Sequence, residues 1–188
     1  SKLKNQNPVP VKFSNVNIHR ALIFDSEDDI EVEIDIDLST GNFKITTIDQ
    51  ELVSSGTIQE MTSSELNKFN SISKVGSESL TNNFFGKNDY YQLLRSAGYQ
   101  YGSKYQCLEQ IKLDGSQGQI SFDNYFSFLD TMLQATLSIS DFSYGELKLP
   151  TKINSLMLSG QSIDNKNINF TIKKTSTRYC GIRVINQL

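Results

Sequence analysis

Asp123–Leu137, DNYFSFLDTMLQATL, decides how this chain is read. Phe122, Phe126, Leu129, Leu133 and Leu137 recur at three- and four-residue spacings, the mark of an apolar helix face, and predict a helix over 124–137. Asp130 and Gln134 interrupt that pattern. They stand one turn apart on the same side, beside the stripe, so part of each polar group is expected to turn inward. Burying an ionised carboxylate without a partner is costly, and folds keep one inside where a network satisfies it or where it is used for chemistry. Spacing alone favours the plainer reading, a hydrogen-bonded pair at the edge of a half-exposed helix.

Around this helix the sequence alternates in strand fashion. Upstream, Asn88 or Asp89 caps a predicted helix that carries Tyr90, Leu93, Leu94 and Ala97 inward and stops at Gly98. GYQYG at 98–102 leads to a strand over 107–113, and DGSQG at 114–118 turns back into a strand over 119–122. Downstream, 141–148 loops out and three short segments, 151–158, 168–173 and 179–185, suit one curved sheet. A long apolar helix needs cover on most sides, and a curved antiparallel sheet supplies it. The expected fold is therefore α+β, a hot dog, with 88–188 as one complete unit.

The earlier part of the chain reads differently. After a polar tail over 1–8, segments 9–13 and 16–24 have strand composition, and EVEIDIDL at 31–38 is the clearest strand, with Val32, Ile34, Ile36 and Leu38 on one face and Glu31, Glu33, Asp35 and Asp37 on the other. The STGN turn at 39–42 joins 43–48, and 52–58 follows, so 9–59 is an antiparallel meander. The carboxylates of this strand lie along a flat face instead of converging on a glycine turn, which argues against a calcium loop and for a solvated sheet face. Residues 60–87, rich in Ser and Asn, read as a linker with at most a short helical turn near 64–69. The first unit, 1–59, thus has strands and no helix to wrap. With Ser1 in place of Met, the chain is expected to be a processed product or a piece of something longer.

Composition narrows the function classes. At 188 residues with 37% hydrophobic content and 11 Phe, the chain can bury a real core. A net charge of −3 gives no broad basic field for nucleic acid, and no apolar run approaches a membrane span or a secretion signal. A cytoplasmic protein is the expectation. Cys107 and Cys180 lie in no CxxC or CxxH setting and, with one His in the chain, leave too few ligands for zinc; both are read as reduced, with a disulfide left open.

Several stretches, in order along nearly the whole chain, resemble the dehydratase region of animal-type fatty acid synthases and related polyketide synthases. DYY at 89–91 through Leu94, then GYQYGSKYQ at 98–106, resembles that family's helix followed by GYxYGPxFQ, with Ser103 in place of the proline and Tyr105 in place of the phenylalanine. FDNYFSFLDTMLQ at 122–134 resembles its DxxxQ segment, LPTKI at 149–153 its LPxxI strand, and VKFSNVNIHRAL at 11–22 a strand of its first hot-dog unit. The resemblance implies a double hot dog, of which this chain holds the later part of the first unit, the linker and all of the second.

It also implies a reaction, loss of water from a β-hydroxyacyl chain on the phosphopantetheine arm of an acyl carrier protein, giving the trans-2-enoyl thioester. In the family a histidine of an HxxxGxxxxP motif takes the α-proton and an aspartate of the second unit helps the β-hydroxyl depart. A neutral imidazole suits the base, and a carboxylic acid kept protonated by an apolar tunnel suits the donor. By resemblance Asp130 is the acid, Gln134 orients it or the hydroxyl, and Tyr101 and Gly102 line the tunnel; no directly bound cofactor or metal is implied. The implied partners are the acyl carrier protein, other domains of the same multienzyme and a second copy in a homodimer. No HxxxGxxxxP occurs in these residues, and the single histidine, His19, reads as a strand residue. The catalytic histidine is therefore expected outside this chain, which by itself is expected to be inactive. Two competing readings are a non-catalytic hot-dog module that scaffolds an assembly or holds an acyl chain, and an all-β carbohydrate or lipid binder, the latter only if the helix over 124–137 is absent.

Overall fold

A computed structural model of the chain describes residues 9–23, 29–73, 84–137, 147–158, 167–174 and 180–185. The described residues form two compact units, one of 1–69 with 149–162 and one of 70–148 with 163–188.

The first unit is a five-stranded antiparallel sheet, β1 (Val11–Ile18), β2 (Val32–Ile36), β3 (Asn42–Thr47), β4 (Leu52–Glu60) and a later strand at Lys152–Leu158, in the order β2, β3, β4, β1 and then that later strand. Of the meander expected over 9–59, β2, β3 and β4 follow one another as expected, but β1 pairs with β4 instead of β2. The two strands expected at 9–13 and 16–24 are instead one, β1, which absorbs an irregularity between Ser14 and Asn17, with Asn15 at φ 50°, and ends at Ile18. Asp37 organises the β2–β3 turn by accepting from the Ser39 amide and from the hydroxyls of Ser39 and Thr40, and Gly41 at φ 74° is required there because a Cβ would stand 2.1 Å from the Ile58 carbonyl oxygen. Beyond β4, the span expected as a linker carries a full helix, α1 (Ser63–Ser73). Its start is a capping box: the Thr62 hydroxyl accepts from the Glu65 amide and the Glu65 carboxylate accepts from the Thr62 amide.

The second unit holds the other five-stranded antiparallel sheet. It begins inside the expected linker with β5 (Phe84–Gly86), followed by α2 (Lys87–Ser96), β6 (Leu108–Lys112), β7 (Gln117–Ser121), α3 (Tyr125–Leu137) and, after the strand in the first sheet numbered β8 (Lys152–Leu158), β9 (Asn167–Lys174) and β10 (Cys180–Ile185). The sheet order is β10, β9, β7, β6, β5. The three closing segments therefore do not share one sheet as expected: β8 pairs antiparallel with β1, where Phe13 faces Leu156, and only β9 and β10 join the second sheet. Strand composition is the same in all three, and pairing partners are set by apolar register, which a local reading does not reveal. The loop expected over 141–148 lies mostly outside the described residues, as does the side chain of Cys180.

Leu108, Ile120 and Ile168 face one another across three strands of this sheet and are at most 1% exposed. In the next row Phe170 lies across from Gly118, whose absent side chain makes room for the ring: a Cβ would stand 2.5 Å from it. The first sheet repeats the device with Phe43 opposite Gly56. Against β6, β7 and β10 lies α3, started by Asn124, whose side-chain oxygen accepts the Ser127 amide at 3.0 Å. The helix expected at 124–137 is present; of the expected stripe Leu137 is buried and Phe122 and Leu129 pack against the core, while Phe126 is 82% exposed, and Ser127, Phe128, Thr131, Met132, Gln134 and Ala135 are buried besides. Small side chains at 127, 131 and 135 let the helix approach the sheet closely between the larger buried Phe128, Met132 and Leu137, and Phe126 points out.

Candidate functional site

On α3 the i, i+4 spacing sets Asp130 and Gln134 one above the other, and the Gln134 side-chain nitrogen donates to Asp130 Oδ2 at 2.7 Å. Gln134 is 1% exposed and its polar atoms are all engaged. Its nitrogen also donates to the Tyr105 carbonyl at 2.9 Å, and its oxygen accepts from the Tyr91 hydroxyl at 2.9 Å. Tyr91 in turn accepts the Leu108 amide at 3.1 Å, while the neighbouring Tyr90 hydroxyl donates to the Gln134 backbone carbonyl at 2.7 Å. Two tyrosines of α2 thus grip one residue of α3.

Asp130 is half-buried and among the described residues forms no ion pair; burial pushes its carboxyl above the usual range, and the Gln134 donation opposes that only in part. Tyr101 stands in the loop after α2, stacked on Tyr99 with centroids 6.1 Å apart and edge-on to Tyr91 at 6.4 Å. Burial, then the charge of Asp130, pushes its phenol up to about 12, which puts it within electrostatic reach of that carboxylate. Gly102, at the start of the 3-10 turn Ser103–Tyr105, is exposed, and a Cβ there would meet nothing within 4 Å. Three of the sequence-singled residues, Asp130, Gln134 and Tyr101, are therefore gathered in one place, with Gly102 beside them. His19 belongs to the first unit: it follows β1, exposed, with Nε2 2.9 Å from the Ser55 hydroxyl.

Tyr91 is the residue that sequence reasoning missed. The expected inward set of α2 was Tyr90, Leu93, Leu94 and Ala97; the structure buries Tyr90, Tyr91 and Leu94 in the helix and Ala97 just after it, and starts the helix at Lys87 instead of 88 or 89. A tandem of tyrosines on an amphipathic helix is itself a signal, since each buried phenol needs a hydrogen-bond partner. On the outer side of Tyr91 a polar groove of about 490 Å³, lined also by Asn88, Gln92, Arg95, Ser96 and Gln106, opens to solvent and does not include Asp130.

Chemically, a half-buried carboxyl with raised proton affinity, one oxygen occupied by an amide donor and no ion-pair partner among the described residues, is suited to give a proton to a leaving oxygen. Among the described residues no helix is long and apolar enough to cross a membrane.

No family model matches the chain. Its structure is similar to the dehydratase domain from the CurF module of curacin polyketide synthase, at 18% identity and TM-score 0.70, over 97% of this chain and 71% of that one. It is similar to a trans-AT polyketide synthase dehydratase domain from Brevibacillus brevis, at 15% identity and TM-score 0.66 over 98% and 72% of the two chains. A trans-acyltransferase polyketide synthase enoyl-isomerase matches at 12% identity and TM-score 0.68 over 96% and 76%. The chain thus has the hot-dog fold of polyketide synthase dehydratase domains, and covers somewhat over two thirds of their length.

Proposed function

We propose that this chain is a large part of a β-hydroxyacyl dehydratase region of a polyketide- or fatty-acid-synthase-like multienzyme, working in the cytoplasm on an acyl chain held by the phosphopantetheine arm of an acyl carrier protein. The observation that carries the reading is the Asp130–Gln134 pair, a carboxyl raised by burial and held by a fully engaged amide on the helix that fills the second sheet. Asp130 gives its proton to the β-hydroxyl as the C–O bond breaks. A base from outside these 188 residues, a histidine by the resemblance, removes the α-proton, and the electron pair of that C–H bond becomes the C=C bond of the trans-2-enoyl thioester. Water leaves, and the proton taken by the base returns to Asp130 through solvent before the next turnover. Tyr101 and Gly102 line the channel that holds the chain, and the complete protein works as a homodimer alongside the other domains of its multienzyme.

The second reading is a hot-dog module that scaffolds an assembly or holds an acyl chain without chemistry; an HxxxGxxxxP motif in the sequence preceding these residues supports the enzyme, and its absence there supports the module. Substitution Asp130→Asn in the full-length protein separates the two. The enzyme reading expects turnover of a β-hydroxyacyl thioester to fall by about 10²- to 10⁴-fold, the usual worth of a positioned general acid, with the circular dichroism spectrum unchanged. Undiminished turnover removes Asp130 from the chemistry, and a wild type with no turnover at all favours the binding module.

A further inference from the structure

An amide side chain can act on a neighbouring acid in two opposite ways. With its nitrogen toward the carboxyl it donates, occupies one carboxyl oxygen and leaves the acid's proton on the other. Turned by a half rotation, it presents an oxygen that accepts the acid's own proton and ties it up. Gln134 is in the first orientation, with its nitrogen 2.7 Å from Asp130 Oδ2. Two groups outside α3 determine that.

One is the Tyr105 carbonyl, an acceptor 2.9 Å from the Gln134 nitrogen. The other is Tyr91, only 4% exposed. Its hydroxyl oxygen already accepts the Leu108 amide at 3.1 Å, so what remains for it to contribute is its single proton. Nearest to that proton is Gln134 Oε1 at 2.9 Å; the Tyr105 carbonyl, at 3.4 Å, is already engaged by Gln134 itself, and Thr131, the other side chain hydrogen-bonded with Tyr91, has a hydroxyl proton of its own to give. The proton therefore goes to Gln134 Oε1. Reversing the amide would set Oε1 against the Tyr105 carbonyl and the Asp130 carboxylate, acceptor against acceptor, and would strip the Tyr91 hydroxyl of its acceptor.

We propose that Tyr91 is a positioning residue for Asp130: by donating to Gln134 Oε1 it locks the amide so that Oδ2 of the acid is always occupied and the transferable proton stays on Oδ1, turned away from Gln134. This rests on the reading of Asp130 as the acid. The other titratable groups facing the pair are the phenols of Tyr91 and Tyr101, both held above the ordinary phenol value, and Cys107 beside Tyr91, held above the ordinary thiol value; burial is the leading cause in each. Among the described residues none of these titrates below the alkaline range, so of the groups facing the pair only Asp130 can set the high-pH limb of the activity profile.

The test uses the full-length protein with a β-hydroxyacyl N-acetylcysteamine thioester. Tyr91→Phe keeps the ring and removes the donor. The expected result is a fall in kcat of roughly 10- to 100-fold, the scale of a misplaced catalytic group, with KM little changed and the high-pH limb of kcat moved upward, because a released amide accepts from the protonated acid and stabilises it. Because Tyr91 acts through Gln134, the double variant Tyr91→Phe with Gln134→Leu is expected to be no slower than Gln134→Leu alone. An unchanged kcat and pH limb, or losses that multiply in the double variant, overturns the proposal. Asp130→Asn run in parallel distinguishes the two levels: if it leaves turnover intact, the acid reading and the positioning role fall together, and if it abolishes turnover while Tyr91→Phe changes nothing, only the positioning role falls. Should Tyr91→Phe not fold, the side-chain amide resonances of Gln134 in the unmodified protein decide. A slowly exchanging NH2 pair whose shifts follow the Asp130 titration is expected, and a freely exchanging pair indifferent to it overturns the proposal.

Discussion

Ile34 in β2 and Ile120 in β7 are the same residue in the same kind of strand, yet Ile34 is 63% exposed and Ile120 fully buried. Ile120 has Leu108 on one side, Ile168 on the other and α3 over its sheet. Ile34 lies on an edge strand, with Ile45 as its one ladder partner, and Val32 and Ile36 beside it are exposed as well. Strand formation needs alternation and a pairing partner, which both sheets have. Burial needs a second layer, which among the described residues only the second sheet receives from a helix packed on its face. Among the described residues, all but one of the buried apolar ones, Met61 being the exception, belong to the second unit.

The comparison is tested most strongly by removing the same atoms from each sheet. Ile120→Ala should cost about 2–5 kcal/mol, the range for a buried isoleucine whose cavity cannot collapse, whereas Ile34→Ala should stay within about 0.5 kcal/mol, as for surface changes. Urea unfolding of the full-length protein, followed by tyrosine fluorescence and circular dichroism, measures both. A cost at Ile34 approaching that at Ile120 would break the contrast, because it would mean that the apolar face of the first sheet is covered in solution.

A smaller effect is expected at the capping box of α1. Thr62→Ala removes the hydroxyl that accepts the Glu65 amide, at a cost of about 1 kcal/mol. Glu65, held by Lys12 at 2.7 Å and by the Thr62 amide and hydroxyl, has its carboxyl lowered to about 2, and loss of one of those donors should raise its titration midpoint, which carboxyl NMR reads directly. An unchanged midpoint would show that the box does not hold in solution.

These residues also show what was legible in the sequence. T-x-x-E at 62–65 is a helix start that the Ser- and Asn-rich composition around it concealed, so α1 read as linker. α3 was legible as a helix because its apolar spacing is regular, and its buried side was legible in part, in Leu137, Leu129 and Phe122, whereas Ser127, Thr131 and Ala135 carry little hydrophobic signal and pack by being small. In β6, Leu108 and Ile111 are both fully buried although three residues apart, because the register shifts between Leu108 and Gln110; strict alternation cannot show that. β8 was read as a strand but not as a partner of β1, pairing being a long-range property. At the site, the Asp130 and Gln134 spacing was readable along one helix, whereas Tyr91 comes from another helix and meets Gln134 only through tertiary packing.

The last contrast is in the carboxylates. Asp37, Glu65 and Asp114 sit in turns or at a helix start, surrounded by donors, and are lowered; Asp130 is raised by burial. The signs predict opposite pH behaviour. A lowered group favours the folded state above its unfolded value and loses that contribution as pH falls through its folded value. For Asp130 the folded state holds its proton more tightly than the unfolded chain, so its contribution is fully present below the unfolded carboxylate value of about 4 and is lost as pH rises through the folded one. An amide in place of this carboxyl cannot ionise and keeps an oxygen to accept from Gln134, so Asp130→Asn should melt progressively higher than the wild type as pH rises from the acid range to neutrality, while inactivating the protein. Thermal unfolding of both forms across that range checks this. A difference in Tm that does not grow with pH would mean that Asp130 is solvated like Asp37, Glu65 and Asp114, and would remove the physical ground for its raised proton affinity.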